Sequence, residues 1–174
     1  MSFAEEIKAR IKEVPDFPKP GISFKDITPL LLDPELYPKL IHEFALPFLN
    51  TRVDFVAGME SRGFLFGMGL AQKLGAGFIP VRKKGKLPRP TFSIGYDLEY
   101  GSAELELHAE DLPKGAKVLV HDDLLATGGT AASTQQLIEK TGAEIVGFNF
   151  IVELDFLKGR EALRHKEVYS MIHY

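Results

Sequence analysis

The sequence predicts an α/β domain built on a twisted, mostly parallel sheet flanked by helices. Three observations predict it. From Val53 onward, short apolar runs alternate with helix-like segments, the order that parallel strands and their crossover helices require. The runs are apolar throughout, as in strands covered on both faces. The chain has 174 residues and 45% hydrophobic content, enough for one domain spanning 1–174 with its own core.

The elements follow in order. Phe3, Ile7 and Ile11 recur every four residues and predict a short amphipathic helix that ends before Pro15. Residues 14–22 form a stiff loop whose prolines deny it ladder hydrogen bonds. Asp33-Pro34 reads as a cap and first-turn proline opening a helix, which Pro47 ends or kinks and whose start Pro38 delays. Residues 53–58 are a first buried strand. Residues 63–74 are a helix whose Gly67, Gly69 and Ala71 allow close packing on a sheet. Strands are predicted at 77–81, 117–121, 144–152 and 168–172, with a helix over 129–140 capped by Gly142. Residues 82–107 break the rhythm. Arg82 to Pro90 are basic and hostile to helix, and then Ala103, Leu105 and Leu107 alternate with Ser102, Glu104 and Glu106. A β-hairpin inserted between sheet strands is expected there, with the two glutamates exposed.

Composition excludes several classes of function. The 26% charged and 10% aromatic fractions are those of a globular protein. With 21 basic against 24 acidic residues the net charge is −3, which argues against nucleic acid or an acidic membrane as partner. No cysteine is present, so disulfides, thiolate metal sites and a cysteine nucleophile are excluded. The N-terminus carries early acids and no apolar run, unlike a signal peptide, and no stretch reaches the ~18 apolar residues of a membrane helix. A soluble, cytoplasmic protein is expected. The five histidines share no ligand spacing, so zinc is not expected.

The segment 118–130 carries the strongest chemical signal. A buried strand runs into Asp122 and Asp123, then a Thr127-Gly128-Gly129-Thr130 turn, then a helix. Ligands bind at the carboxyl ends of strands in such sheets. Gly128 and Gly129 let backbone N–H groups approach an anion, Thr127 and Thr130 add hydroxyls, and the helix N-terminus adds its dipole, so a phosphate belongs there. The acids suit sugar hydroxyls, or a Mg²⁺ placed between them and an anion. Two adjacent acids alone would more often be a solvated cap; strand, acids, glycines and helix together reverse those odds. The Gly-Lys-Ser/Thr of a Walker loop is missing.

This segment resembles the phosphoribosyl-pyrophosphate signature of the type I phosphoribosyltransferases, in the variant found in their adenine branch. The similarity extends, in the family's order, through Asp16-Phe17-Pro18-Lys19-Pro20-Gly21-Ile22, Glu60-Ser61-Arg62-Gly63-Phe64, Lys86-Leu87-Pro88, Leu98-Glu99-Tyr100-Gly101 and Val152-Glu153-Leu154. The resemblance implies the type I fold with a flexible flap over 82–107 and an N-terminal hood over 1–33 that binds a base. It further implies Mg²⁺-dependent transfer of ribose 5-phosphate to N9 of adenine, giving AMP and pyrophosphate.

By the resemblance, Ala126, Thr127, Gly128, Gly129 and Thr130 bind the 5′-phosphate, and Asp122 and Asp123 face the ribose. Glu60, Ser61 and Arg62 match the pyrophosphate loop, in which the family usually has a cis peptide; Arg62 would neutralise the leaving group. Arg82, Lys83 and Lys86 are candidates to clamp the same group, although a bare charge run is more often a solvated loop. Glu99 matches the family's acid–base glutamate near purine N7, acting as an acid or as a positioning group, and Tyr100 packs in the closed flap. Ser23, Phe24 and Lys25 read and cover the adenine, with Leu154 on its other face. Ser23 and Lys25 stand where more apolar residues and Arg are commoner, and His121 where a small aliphatic residue is; His121 is assigned no chemistry. Mg²⁺ is expected to be held mainly through substrate and water, near Asp122 and Asp123. A homodimer is implied as well.

Two rival readings are weaker. A ligand sensor without catalysis usually carries an added nucleic-acid-binding part, for which there is neither spare length nor basic surplus. A hypoxanthine or guanine enzyme would lack the adenine-type segment 124–130 and the Pro-rich N-terminal loop.

Overall fold

The computed structural model describes residues 2–98, 101–164 and 167–174. Helix α1 (Phe3–Arg10) opens on a reciprocal cap, Ser2 accepting from Glu5 N–H while the Glu5 carboxylate accepts from Ser2 N–H. It buries Ile7. Strands β1 (Lys12–Val14) and β2 (Phe24–Asp26) then pair antiparallel, a small sheet that the sequence reading did not foresee. The prolines at 15, 18 and 20 sit in the loop between the two strands, so none of them interrupts a ladder.

Helix α2 (Leu36–Ala45) begins two residues after Pro34. Asp33 still does the capping: its Oδ1 accepts from the N–H groups of Glu35 and Leu36 at 2.9 and 3.1 Å. Pro38 falls in the first turn, where no N–H is needed for the ladder. At Pro47 the chain tightens into a single 3-10 turn, Leu46–Phe48.

The sheet contains β3 (Phe55–Met59), β4 (Gly77–Lys83), β5 (Thr91–Leu98), β6 (Gly101–His108), β7 (Lys117–Leu125), β8 (Glu144–Glu153) and β9 (Val168–His173). Its order is β5-β6-β4-β3-β7-β8-β9. The five strands from β4 to β9 in that order are parallel, and β5 and β6 extend the sheet antiparallel beyond β4. Helix α3 (Gly63–Leu74) joins β3 to β4, and α4 (Gly129–Thr141) joins β7 to β8. Two apolar layers cover the faces. Ile7, Leu40, Phe44, Phe66 and Leu119 belong to one, and Val81, Leu107, Val120, Leu137 and Phe148 to the other.

Two expectations are corrected. Strand β7 does not stop at His121 but runs on through both acids to Leu125, because Leu124 and Leu125 pair with Val152 and Glu153 on β8. Glu106 is not an exposed hairpin residue: it is 4% exposed. Its Oε1 accepts from the N–H groups of Lys86 and Leu87, both at 2.9 Å, so the 85–87 turn wraps around it. Burial would raise the Glu106 carboxyl, but these amides outweigh it and hold it below its ordinary value. Leu105 and Leu107 are buried as their alternation predicted. The base of the hairpin is therefore part of the packed sheet, and Lys140 on α4 ties it down by donating to the Ser93 carbonyl at 3.1 Å.

Candidate active site

Strands β3 and β7 are neighbours with Gly58 opposite His121, so the loops that leave their carboxyl ends lie side by side. The β3 loop rests directly on the acid pair. A Cβ on Gly63 would come within 2.9 Å of both Asp122 Oδ1 and the His121 carbonyl, which is why the helix can begin there only with glycine. The Glu60–Ser61 peptide in this loop is cis, where the resemblance placed such a bond.

Side-chain charges hold this loop. Glu60 Oε2 accepts from Lys83 N–H at 2.9 Å and pairs with Arg82 Nε at 3.3 Å, while Arg82 Nη1 donates to the Lys86 carbonyl at 3.2 Å. Arg62 Nε lies 3.0 Å from Asp123 Oδ2, and its guanidinium sits 4.8 Å from the centre of the Phe24 ring. One side chain thus touches the N-terminal segment, the β3 loop and the acid pair.

Burial works against the charge of both acids. Burial raises Asp122 well above the ordinary carboxylate range, and the negative charge of Asp123 pushes it further. Asp123 is also raised by burial, with Arg62 pulling it back. Asp123 Oδ2 is buried with no hydrogen-bond partner among the described residues, the Arg62 contact being an ion pair without hydrogen-bond alignment. An under-satisfied carboxylate oxygen of this kind suits a hard cation or a hydroxyl donor, so these residues fit a Mg²⁺ site.

Beyond Leu125 the chain turns through 126–128 into α4. Gly128 adopts φ 82° and no side chain caps the helix, which leaves its first N–H groups aimed outward for an anion. A cavity of about 80 Å³ lies over this turn, walled by Asp122, Ala126, Thr127, Gly128, Gly129 and Thr130. A larger one of about 450 Å³ adjoins it, walled by Glu60, Arg62, Lys83 and Asp123 and sharing Asp122, Ala126 and Thr130. Two joined cavities, one small beside backbone amides and one wide with Arg62 and Lys83 set among the acids Glu60, Asp122 and Asp123, suit a ligand with anionic ends and donor or cationic groups between them.

Most sequence-predicted residues converge here, and some do not. Lys86 is exposed and lines neither cavity, its main chain being taken up by Glu106 and Arg82. Lys25 Nζ pairs with Glu13 at 2.8 Å and lies 4.2 Å from the Tyr174 ring centre, and Ser23 Oγ also donates to Glu13. Lys25 Nζ also donates to Ser23 Oγ at 3.2 Å, so the two polar ends are engaged with each other and with Glu13. Leu154 follows β8, tied by its N–H to the Leu125 carbonyl at 3.0 Å and packed on the first apolar layer. Glu99 and Tyr100 lie outside the described residues. His121 is fully buried, bonded through Nδ1 to Asn149 Oδ1 at 2.8 Å and pushed down to about 4 by burial. It is a neutral structural residue.

Sequence reasoning missed the wall residues Met59, Leu105 and Leu124, and above all Gly159. A Cβ on Gly128 would lie 2.3 Å from the Gly159 carbonyl, and one on Gly159 would lie 2.3 Å from the Ala126 carbonyl. The contact of Gly159 with the turn 31 residues back leaves no local signal in the sequence.

The chain's similarities agree with this geometry. The family model described as the phosphoribosyl transferase domain matches residues 39–172. An adenine phosphoribosyltransferase from Christiangramia forsetii is 57% identical, over 97% of this chain and 99% of its own length. The crystal structure of adenine phosphoribosyltransferase from Rhodothermus marinus superposes with a TM-score of 0.94 at 48% identity, covering 99% and 98% of the two chains. That of the Saccharomyces cerevisiae protein, complexed with an imino-altritol bisphosphate and adenine, gives 0.92 at 43% identity over 97% and 98%.

Proposed function

From the membership of this chain in the phosphoribosyl transferase family, in its adenine phosphoribosyltransferase branch, we infer a purine-salvage enzyme. It converts adenine and 5-phospho-α-D-ribose 1-diphosphate to AMP and pyrophosphate. The observation that carries this is the junction of two cavities at Asp122, one beside the uncapped N-terminus of α4 and the other walled by Arg62 and Lys83 together with Glu60, Asp122 and Asp123.

Each group has its place in the reaction. The amides and hydroxyls of 126–130 hold the 5′-phosphate, and Asp122 and Asp123 bind the ribose hydroxyls, whose donors relieve the cost of burying the acids. Arg62, Ser61, Arg82 and Lys83 receive the diphosphate, with Lys86 at the rim. To do so Arg62 leaves Asp123 and the Phe24 face, and both are then open to sugar and base. Adenine lies between Phe24 and Leu154, met by the main chain of Ser23 and Lys25. As the bond from C1′ to the diphosphate oxygen breaks, positive charge grows on the sugar and negative charge on the leaving group. Arg62, Arg82 and Lys83 stabilise the latter. N9 bonds to C1′ and its proton passes to the released diphosphate, while Glu99 acts at N7 as an acid or as a positioning group. Asp122 and Asp123 would hold Mg²⁺, mainly through substrate and water, and the ion would supply further positive charge to the diphosphate. The N-terminal 1–33 acts as a hood and 82–107 as a flap that excludes water. The protein works as a cytoplasmic homodimer without nucleic-acid or membrane partners; among the described residues no helix is long and apolar enough to cross a membrane.

The test is AMP formation from adenine, the diphosphate donor and Mg²⁺, with wild type, Glu99→Ala and Arg62→Ala run together and hypoxanthine and guanine as competing bases. AMP from wild type and far less from both variants is expected. No nucleotide from any base would refute the reaction. Near wild-type turnover by Glu99→Ala would move the proton chemistry to another residue.

A further inference from the structure

The turn that faces the small cavity does not stand alone. It rests on the segment 155–164, which crosses behind it, and Gly159 is the point of contact. The backbones of Ala126, Gly128 and Gly159 approach so closely that a methyl group on either glycine would fall 2.3 Å from a carbonyl oxygen of the other strand of contact. Any drift of the 155–164 strap would be transmitted to the turn without a compressible side chain between them.

The strap carries no helix longer than a single turn and no strand, so something else must hold it. Arg160 does. Its Nε and Nη2 donate to the two carboxylate oxygens of Glu153 at 2.6 and 2.7 Å, and Nη1 donates to the Val168 carbonyl at 2.9 Å. Glu153 is 4% exposed at the end of β8, and Val168 opens β9. A planar, bidentate pair thus bolts the strap to two neighbouring strands of the sheet. A second tie lies at the strap's start, where Asp155 N–H donates to the Tyr174 carbonyl at 3.0 Å and Asp155 Oδ1 meets His173 Nδ1 at 2.8 Å. Glu153, Asp155 and His173 come close enough together to suggest a cation site. The Arg160 guanidinium already engages both Glu153 oxygens, so the cluster serves as a fastening.

We propose that Arg160 and Glu153 are positioning residues for the donor's 5′-phosphate, acting through Gly159 on the 126–130 turn. Neither touches the substrate. Their pair sets where the turn's amides point, and loss of the pair lets the turn relax away from the phosphate. This rests on the assignment of that turn to the 5′-phosphate.

The experiment measures KM for donor and for adenine separately, together with AMP and adenine dissociation constants by calorimetry, in the full chain. Arg160→Gln should raise the donor KM and the AMP dissociation constant by roughly tenfold while adenine binding and kcat stay near wild type. Arg160→Lys, which keeps the charge and one of the two bonds, should recover part of the loss. Gly159→Ala, which leaves the ion pair intact and displaces the turn directly, should reproduce the same selective defect, and it decides the matter if Arg160→Gln does not fold. A lowered melting temperature with both KM values unchanged, or equal losses for donor and adenine, would overturn the proposal. Thr127→Ala separates it from the reading beneath it. Donor binding weakened by Thr127→Ala but not by the strap variants refutes the positioning role alone, whereas donor binding indifferent to Thr127→Ala refutes the phosphate assignment.

Discussion

The two loops that meet at Asp122 are held by different kinds of contact. The 126–130 turn is fixed through backbone: glycines at 128 and 159 bring two chain segments into direct contact, and no side chain caps the helix that follows. The 60–62 loop is held by charged side chains with replaceable partners. Arg62, about a third exposed, pairs with Asp123, and Arg82, equally exposed, pairs with Glu60. The contrast matches the chemistry of the substrate's two ends. The 5′-phosphate has the same charge before and after reaction, so a preformed cradle serves it throughout. The diphosphate gains charge as its bond breaks, and groups that can change partners are suited to follow it.

Substitutions should separate the two. The largest effect is expected from Arg62→Ala, a loss in kcat of roughly 100-fold or more, since a donor to the leaving group disappears; single-turnover rates at saturating donor check it. Gly128→Ala should instead raise the donor KM by about 100-fold with a smaller change in kcat, because a Cβ there collides with the Gly159 carbonyl in a left-handed backbone. If both variants lost kcat alone, the division of labour would be wrong. Phe24→Ala should weaken adenine by roughly tenfold and leave the donor unaffected, the worth of one aromatic face against a base; adenine titration by calorimetry measures this.

Acid offers a milder probe. Burial pushes the Glu153 carboxyl up, but its bonds to Arg160 outweigh that and leave it below its ordinary value of 4.5. A depressed carboxylate stabilises the folded state fully above 4.5, and that contribution is lost as pH falls below it. Melting temperature should therefore drop more steeply with pH in wild type than in Glu153→Gln over that range. At the small end, Lys84→Ala, which breaks a surface bridge to Glu104, should leave the melting temperature nearly unchanged and alter neither KM.

How much of this was legible in the sequence depended on whether a feature is local. Helix 63–74 and the helix after Gly128 were readable because small residues, caps and apolar runs sit next to one another in the chain. The phosphate turn was readable for the same reason. The β1–β2 pair was hidden because each strand is only three residues long, too short for a periodic signal on either side of the Pro-rich loop. Glu106 was misplaced because alternation tells inside from outside only on a half-covered sheet, and here the 85–87 turn covers the outer face. The Arg160–Glu153–Gly159 strap left no local trace, since its partners lie on β8, β9 and the turn 31 residues back.

The order of strands also bears on how the molecule assembles. Asp54 Oδ2 accepts from the Lys117 amide, 63 residues further along, and β3 pairs with β7 across that same interval. Hairpin β5–β6 lies wholly within the interval and closes only a short loop. Chain entropy favours such local closure, and strand pairings far apart in sequence form late. The hairpin should thus gain protection from hydrogen exchange before β3 and β7 do, so that the antiparallel edge of the sheet exists before its parallel centre. Refolding is then paced by the central parallel pair, and substitutions at the β3–β7 seam will slow it.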